Sequence, residues 1–509
     1  MVTFLLYPAA GLVTALAFPD FSFFPLAWLS LIPLYEAAAR RPSRRETVAG
    51  HVFFCLGYFG TVLYWIPGVL IRYGGLPWVV AALAWLLLVL ILALFLLPFT
   101  AFLVWGMSRS EEGTVWAASG VWLFTELLRD RFPFGGFPWA ALGYSQQPFP
   151  WLLQLADVAG VYLISFLLVL VNGSLWLWWR RGIRRTMLTA VCLCALACLY
   201  GAYRISVWSP DSVGVVRVGI AQGDIALMEG SDHYAQKYFR TLASLFDRAV
   251  AEGARWVIFP EAQNPYRLEQ DFYFRTFWSD RASATSTYLL LNSSHSDDDG
   301  YYNSAYLINP TGEVVYRYDK IHLVPFGEYL PLERLLGKAD ALVAEVSSFR
   351  PGSQVVVGRV DSLQFGTVIC FEAVFPRSAR AAVRKGAQVL VNITNDGWFG
   401  RSAAPAQHFQ MAVVRAVETR RPMIRAANTG FSAFISPLGE VTARTGLFEE
   451  TVLVEDVYAS ACRTPYLVFG ELPCWAVIIL SIVLAAPLLG RNRGLSKGDG
   501  HAGRRSPAV

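Results

Sequence analysis

Apolar positions in this chain follow two patterns, and the change between them falls near residue 205. From the N-terminus, long apolar runs recur near 2–18, 22–38, 50–71, 77–105, 114–129, 155–179 and 186–203, with an eighth near 472–490. Each suits a helix crossing a hydrocarbon core. The first run has no basic flank, and its partner starts one tight turn after Pro19-Asp20. It therefore reads as half of a membrane hairpin rather than as a signal peptide. The fourth run is longer than a straight span needs, and Pro98 within it predicts a tilt or kink.

Between 206 and 470 the apolar runs shorten and begin to alternate with polar residues. Strands are predicted near 213–221, 255–260, 287–292, 301–309, 312–318, 354–360, 363–370, 388–394, 431–436 and 440–445. His233 to Glu252 carries Tyr234, Tyr238, Leu242, Leu245, Phe246 and Val250 on one side, the stripe of an amphipathic helix. Gln407 to Arg421 and the Arg/Ala-rich stretch after Cys370 read as further helices. Strands and helices alternating over this length imply one α/β domain with its own core.

Composition sharpens the division. Of 509 residues, 55% are hydrophobic and only 16% charged, too apolar for a purely soluble protein. The net charge of +5 sits in short clusters and gives no case for a nucleic-acid partner. Arg40, Arg41, Arg44, Arg45, Arg109, Arg180, Arg181, Arg184 and Arg185 fall on one side of the predicted spans, with Arg491, Arg493, Lys497, Arg504 and Arg505. The other short loops keep only Arg72, Arg129 and Arg131. The basic side is cytoplasmic by the positive-inside rule, which puts both termini inside and residues 206–470 outside the cytoplasm. Cys192, Cys194 and Cys198 lie in an apolar run and read as small helix side chains, so neither a disulfide framework nor a metal site is expected.

Candidate chemistry lies at three predicted strand ends. Val368 to Glu372, VICFE, places Cys370 where a strand gives way to a turn. A lone cysteine is most often a buried structural thiol. However, Arg255 to Glu261, RWVIFPE, ends in an acid, and Glu313 to Glu328, EVVYRYDKIHLVPFGE, leads into a loop with Lys320 and Glu328. A carboxylate that takes the thiol proton and an ammonium that stabilises thiolate and oxyanion complete a nucleophilic site. His295, His322 and His408 read as structural, Asp297 to Asp299 as a solvated turn, and Asn395-Asp396-Gly397 as a turn shaping the site. The loop Arg131 to Pro150, RFPFGGFPWAALGYSQQPFP, has two readings. It is an interfacial aromatic belt, or a re-entrant or surface loop where lipid gains access, packed against protein.

Longer motifs carry a resemblance. NITNDGWFGRSAAPAQHFQMAVVRAVETRRPMIRAANTGFSAFISPLGEV (Asn392 to Val441), YDKIHLVPFGEYLP (Tyr318 to Pro331), FPE (Phe259 to Glu261), VICFE, and FPW with GYSQ in the aromatic loop resemble the apolipoprotein N-acyltransferase family. That resemblance implies about eight transmembrane helices with an inserted nitrilase-like α-β-β-α sandwich. The expected division is 1–205 for seven helices, 206–470 for an extracytoplasmic catalytic domain, 471–490 for the eighth helix and 491–509 for a basic cytoplasmic, disordered tail. It implies Glu261 as general base, Lys320 as oxyanion stabiliser and Cys370 as nucleophile. Glu328 becomes a supporting acid, with Glu372 beside the nucleophile, Asn303 in a facing strand and Trp398 in the adjacent loop. Two departures stand out. The segment AQGDIALMEGSDHY has no Trp where the family often has a lid residue, and Phe371 stands where many members have Tyr.

The implied reaction is a ping-pong acyl transfer in the bacterial inner membrane, with a periplasmic site and no cofactor. Cys370 takes an acyl chain from a phospholipid, usually phosphatidylethanolamine, and passes it to the α-amine of a diacylglyceryl-modified N-terminal cysteine on an apolipoprotein. Tyr466, Phe469, Trp475 and the loop Phe132 to Trp151 are then expected at one membrane interface, beside the mouth of the cleft. Two other classes compete. A membrane-anchored amidase or nitrile hydrolase shares the triad, but eight spans exceed what an anchor requires. A transporter or binding module predicts a broken triad and ionisable residues in the spans, of which Glu126 is the clearest acid.

Overall fold

The computed structural model describes residues 2–209, 214–225, 231–261, 264–331 and 349–490. The expected tail 491–509 and residues 226–230 of the Trp-less segment lie outside the described residues. Among the described residues, four helices are long and apolar enough to cross a membrane: Trp78–Met107, Tyr162–Arg181, Arg184–Ser206 and Leu472–Leu489. Of the other expected runs, 2–18 gives the shorter helix Val2–Ala15, 114–129 gives the unbroken 19-residue helix Glu111–Arg129 with Glu111, Glu112, Glu126 and Arg129 in it, and two are interrupted. The 22–38 run divides into a 3-10 turn, Phe24–Trp28, and a helix, Ile32–Ala39, with Pro25 and Pro33 in their first turns. The 50–71 run divides into Arg44–Cys55, a π-helical turn Leu56–Gly60, and Ile66–Arg72, with Pro67 in its first turn. Proline lacks the N–H that would continue a preceding helix, so it suits these new starts. The sixth run begins later than expected. Gly160, at φ +75°, ends the short helix Ala156–Ala159, and the long helix follows from Tyr162.

Pro98 sits inside the unbroken Trp78–Met107 helix, and His51 from a neighbouring helix packs beside it. Its Nε2 lies 2.9 Å from the Ala93 carbonyl and its Nδ1 2.9 Å from Thr100 Oγ1. The last helix, Leu472–Leu489, lies against Glu111–Arg129 through small residues. A Cβ on Gly120 would overlap Ser481 Oγ, and one on Gly113 would come 3.0 Å from Leu488 Cβ. Close backbone approach of this kind is how apolar helices associate where water supplies no driving force.

Among the described residues, the α/β portion forms two six-stranded sheets. The first holds β1 (Val215–Gln222), β2 (Trp256–Ile258), β3 (Tyr288–Asp297), β4 (Gly300–Ile308), β5 (Val314–Asp319) and, at its edge, β12 (Thr451–Tyr458). The second holds β6 (Val357–Val360), β7 (Leu363–Ile369), β8 (Val389–Thr394), β9 (Met423–Ala427), β10 (Ala433–Ile435) and β11 (Val441–Arg444). In each sheet three central strands run parallel, β1-β2-β3 and β7-β8-β9, with antiparallel flanks. Val218, Ile258, Leu290, Phe365, Val391 and Ile424 meet between the sheets. Helices Ser231–Ala251 and Phe272–Thr285 cover the outer face of the first sheet through Leu245, Phe246 and Trp278. Pro376–Arg384 and Ala404–Thr419 cover the second. The layers are therefore helix, sheet, sheet, helix.

Helix Phe272–Thr285 and strands β9 and β12 are absent from the sequence reading, each for a local reason. The helix buries only Phe274, Trp278 and Ala282, a single i, i+4, i+8 row. β9 carries Arg425 at its centre, and β12 carries Glu455-Asp456.

The Ala404–Thr419 helix fixes the α/β portion to the N-terminal half. Gln407 donates through Nε2 to the carbonyls of Pro19 (2.9 Å) and Val62 (3.1 Å). Its Oε1 accepts from Trp139 Nε1 (2.7 Å) and Trp65 Nε1 (3.3 Å). All four side-chain valences are used in a buried setting. Just beyond the helix, buried Arg420 pairs with buried Asp157 at 2.8 Å. In the aromatic loop, Trp139 and Tyr144 are buried against protein, while Phe132, Phe134 and Trp151 are exposed. Phe469 and Trp475 are exposed as well, but Tyr466 is fully buried, so it offers no surface to an interface. Its ring is shut in by Gly160 and Arg380.

Candidate active site

Strand ends converge on one buried cluster. Glu261 follows β2 after Pro260, Lys320 follows β5, Asn303 lies in β4, and Cys370 follows β7. Cys370 opens a single 3-10 turn, Cys370–Val374, at φ +49°, left-handed backbone that a non-glycine residue adopts only when its surroundings hold it.

Buried Lys320 is the centre of the charge arrangement. Its Nζ donates to Glu328 Oε1 at 2.8 Å and lies 3.5 Å from Glu261 Oε1. Burial alone would push the ammonium down, but the Glu328 and Glu261 carboxylates, with the Cys370 thiol, outweigh it and hold Lys320 above the usual lysine range. Asn303 spaces the two acids: its Nδ2 donates to Glu261 Oε1 at 2.8 Å and to Glu328 Oε1 at 3.1 Å. Its Oδ1 accepts from Asn292 Nδ2 at 2.8 Å, which fixes which end of the amide faces the acids. Glu261 Oε2 accepts the Asn395 backbone N–H at 3.1 Å, and Glu328 Oε2 accepts that of Val324 at 2.8 Å.

Cys370 is 7% exposed. Burial, then the Glu261 carboxylate, pushes its thiol up, and Lys320 pulls the other way. At rest the sulfur therefore keeps its proton, with the Glu261 carboxylate and the Lys320 ammonium both felt electrostatically at it. Glu372 ties the Cys370 turn to the Lys320 loop. Its carboxylate accepts the N–H groups of Ile369 (2.8 Å), Ile321 (2.8 Å) and His322 (3.0 Å), together with the Tyr318 hydroxyl (2.9 Å). Burial raises the Glu372 carboxyl, and those N–H groups and Lys320 work against the rise. Both Glu372 oxygens are thus committed to backbone N–H groups and the Tyr318 hydroxyl.

Phe371 is half-buried and meets Phe375 edge-on at 5.0 Å. Trp398 lies in the 3-10 turn Asp396–Phe399 and meets Tyr73 of the N-terminal half edge-on at 4.8 Å, while Tyr73 donates to the Gly397 carbonyl at 2.8 Å. The structure thus brings Glu261, Lys320, Glu328, Asn303, Cys370 and Glu372 together, and puts Trp398 at the seam between the two halves. Asn395, expected in a turn shaping the site, does meet Glu261, whereas Asn292 escapes the sequence reading. For Asn292 the signal was present: an amide ending the run YLLLN in a buried strand must find partners.

His295 and His322 hold structural positions. His295 Nδ1 lies 2.6 Å from Glu269 Oε2, and His322 Nε2 accepts from Arg377 Nε at 3.2 Å. Burial, then Arg377, pushes His322 down to about 4.

Comparison with known proteins places this arrangement. The profile of the apolipoprotein N-acyltransferase N-terminal domain matches residues 10–174, and that of the carbon-nitrogen hydrolases matches residues 217–464. An amidase from Nesterenkonia sp. is 20% identical, with 53% of this chain and 98% of that chain covered at a TM-score of 0.38. Saccharomyces cerevisiae Nit3, of the nitrilase superfamily, is 19% identical, with 49% and 93% covered at a TM-score of 0.39. The apolipoprotein N-acyltransferase of Geobacter metallireducens is 35% identical over 504 residues, 95% of this chain and 94% of that protein. That of Vibrio cholerae is 30% identical, covering 91% and 93%. Similarity of that extent runs through both the apolar helices and the α/β portion, and this chain belongs to the apolipoprotein N-acyltransferase family.

Proposed function

We propose that this enzyme moves an acyl chain from a phospholipid, with phosphatidylethanolamine the expected donor, to the α-amine of the diacylglyceryl-modified N-terminal cysteine of an apolipoprotein. Glu261 takes the Cys370 proton as sulfur attacks the ester carbonyl, and Lys320 meets the oxyanion that forms. The ester C–O bond breaks, and the Glu261 proton passes to the departing lysophospholipid, leaving a thioester. In the second half-reaction Glu261 takes a proton from the attacking amine, the C–S bond breaks, and that proton returns to sulfur. Asn303 and Glu328 keep Lys320 and Glu261 in register, Glu372 holds the nucleophile turn, and Phe371 and Trp398 contact substrate. No metal or cofactor has a part in these steps.

Both substrates carry acyl chains, which gives the apolar half its purpose. We place eight spans in the bacterial inner membrane, with both termini cytoplasmic. Residues 1–205 then form seven helices, 206–470 the periplasmic catalytic domain, 471–490 the eighth helix and 491–509 the basic tail. The observation that carries the reading is the Lys320 ammonium, buried between Glu261 and Glu328 and acting on the Cys370 thiol.

The test is transfer from phosphatidylethanolamine to a diacylglyceryl-cysteine peptide by purified enzyme in detergent. Cys370→Ala and Cys370→Ser should abolish transfer while still accumulating in membranes. Normal transfer by Cys370→Ala would move the nucleophile elsewhere. Hydrolysis of simple amides with no acylated peptide would favour the amidase reading.

A further inference from the structure

Behind Cys370 lies a buried polar chain that none of the steps above uses. His408, on the Ala404–Thr419 helix, lies with Nε2 3.1 Å from the Cys370 carbonyl oxygen. That oxygen only accepts, so Nε2 carries a proton. Nδ1 faces Arg425 Nη2 at 3.1 Å and Asp396 Oδ1 at 2.9 Å. Arg425 Nη2 also donates to Asp396 Oδ2 at 2.7 Å, and Arg425 Nη1 donates to Asn392 Oδ1. Asn392 Nδ2 in turn donates to the Val368 carbonyl at 2.9 Å. The chain thus starts and ends on the β7 end, gripping the carbonyls of Val368 and Cys370. His408, Asp396, Arg425 and Asn392 are all fully buried. Burial, then Arg425, keeps His408 below the usual histidine range, and Arg425 with His408 offsets burial to hold Asp396 down at about 2. Gly430 packs against the acid so closely that a Cβ there would overlap its carboxylate.

We infer that His408 is a positioning residue for the acyl-transfer reaction: its Nε2–H fixes the plane of the Cys370–Phe371 peptide and so holds the nucleophile in its left-handed conformation. Glu372 holds the Val368–Ile369 peptide through the Ile369 N–H, and His408 holds the Cys370–Phe371 peptide. A trans peptide is rigid, so anchoring the Cys370 carbonyl also sets the direction of the Phe371 N–H. The imidazole further links the site to the N-terminal half, because it stacks on Trp139 at 6.0 Å while Trp139 donates to neighbouring Gln407. Loss of this anchor lets the thiol wander from the Glu261–Lys320 pair, and small misplacements of a reacting atom are costly in rate.

This inference rests on Cys370 as the nucleophile, and paired substitutions separate the two claims. Gln puts an amide N–H where His408 has Nε2, Asn puts one where it has Nδ1, and Leu supplies neither. Acylation of Cys370 is followed by intact mass with phosphatidylethanolamine, along with kcat and KM for transfer. Expected for His408→Leu and His408→Asn is a 10–100-fold loss in acylation rate and kcat, with KM within threefold. His408→Gln should restore at least a third of the wild-type rate. If His408→Leu does not accumulate, the Asn–Gln pair alone decides. Wild-type rates in Leu or Asn, or equal rates in Asn and Gln, would overturn the positioning role while leaving the nucleophile intact. Absence of any Cys370 adduct in the wild type would instead remove the reading on which it rests.

Discussion

Replacing Lys320 by Met removes the ammonium and keeps most of the side-chain length. At 2.8 Å from Glu328 and 3.5 Å from Glu261, the two attractions amount to roughly 6 and 5 kcal/mol at an effective dielectric near 20. Desolvation of the buried ions cancels much of that. The net cost of leaving partners unpaired is therefore about 3–5 kcal/mol, since two acids would then face each other across Asn303. For a unit of this size that lowers the apparent melting temperature by about 10 °C. The chemical loss is separate, because an oxyanion donor is worth about 10²–10³ in rate. Lys320→Met should therefore melt earlier, bind phospholipid with little change in KM, and release lysophospholipid in the first turnover about 10²–10³-fold more slowly. A lysine held above its unfolded value of 10.5 gives its stabilisation in full below that pH and loses it only as pH rises through the folded value. The stability difference from wild type should then be flat from pH 6 to 9. Wild-type first-turnover rates in a destabilised Lys320→Met would refute the oxyanion role, and a loss confined to KM would reassign Lys320 to donor binding.

Glu261→Gln keeps an acceptor for Asn303 but no longer takes a proton, and should slow thioester formation by about 10²–10⁴ with donor binding retained, read by rapid-quench mass spectrometry. Glu372→Gln turns an NH₂ towards N–H and O–H donors that now meet carboxylate oxygens, and should cost about 3 kcal/mol in thermal unfolding. His322, held down at about 4, stabilises the fold fully above pH about 6.5 and loses that contribution as pH falls towards 4, by up to about 3 kcal/mol. His322→Gln should flatten the melting temperature across that window; an unchanged acid slope would place the sensitivity in another group.

Much of the α/β portion was legible because strand ends announce themselves. Apolar runs closing on Glu261 and Cys370 placed both at the tips of parallel strands, and a strand-to-loop change placed Lys320 beside them. What stayed hidden were partners meaningful only in three dimensions. Arg425 broke the pattern of β9 because its charge is matched by Asp396 from the loop after β8, 29 residues earlier in the chain. The apolar half was legible as helices but not as breaks, since a run such as 50–71 keeps its hydrophobicity while Gly57 and Pro67 interrupt its backbone regularity. The Trp398 loop reads as part of the cleft, yet its ring is engaged by Tyr73, a contact across 325 positions of sequence.

The most direct test of the central claim is intact and peptide mass spectrometry of the purified enzyme incubated with phosphatidylethanolamine alone, followed by addition of a diacylglyceryl-cysteine peptide. Expected is one acyl mass on the peptide bearing Cys370, labile to hydroxylamine, formed with stoichiometric lysophospholipid and discharged when the peptide amine arrives. No acyl mass on Cys370, or an adduct that the amine does not discharge while transfer proceeds, would contradict a thioester acyl-enzyme at this site.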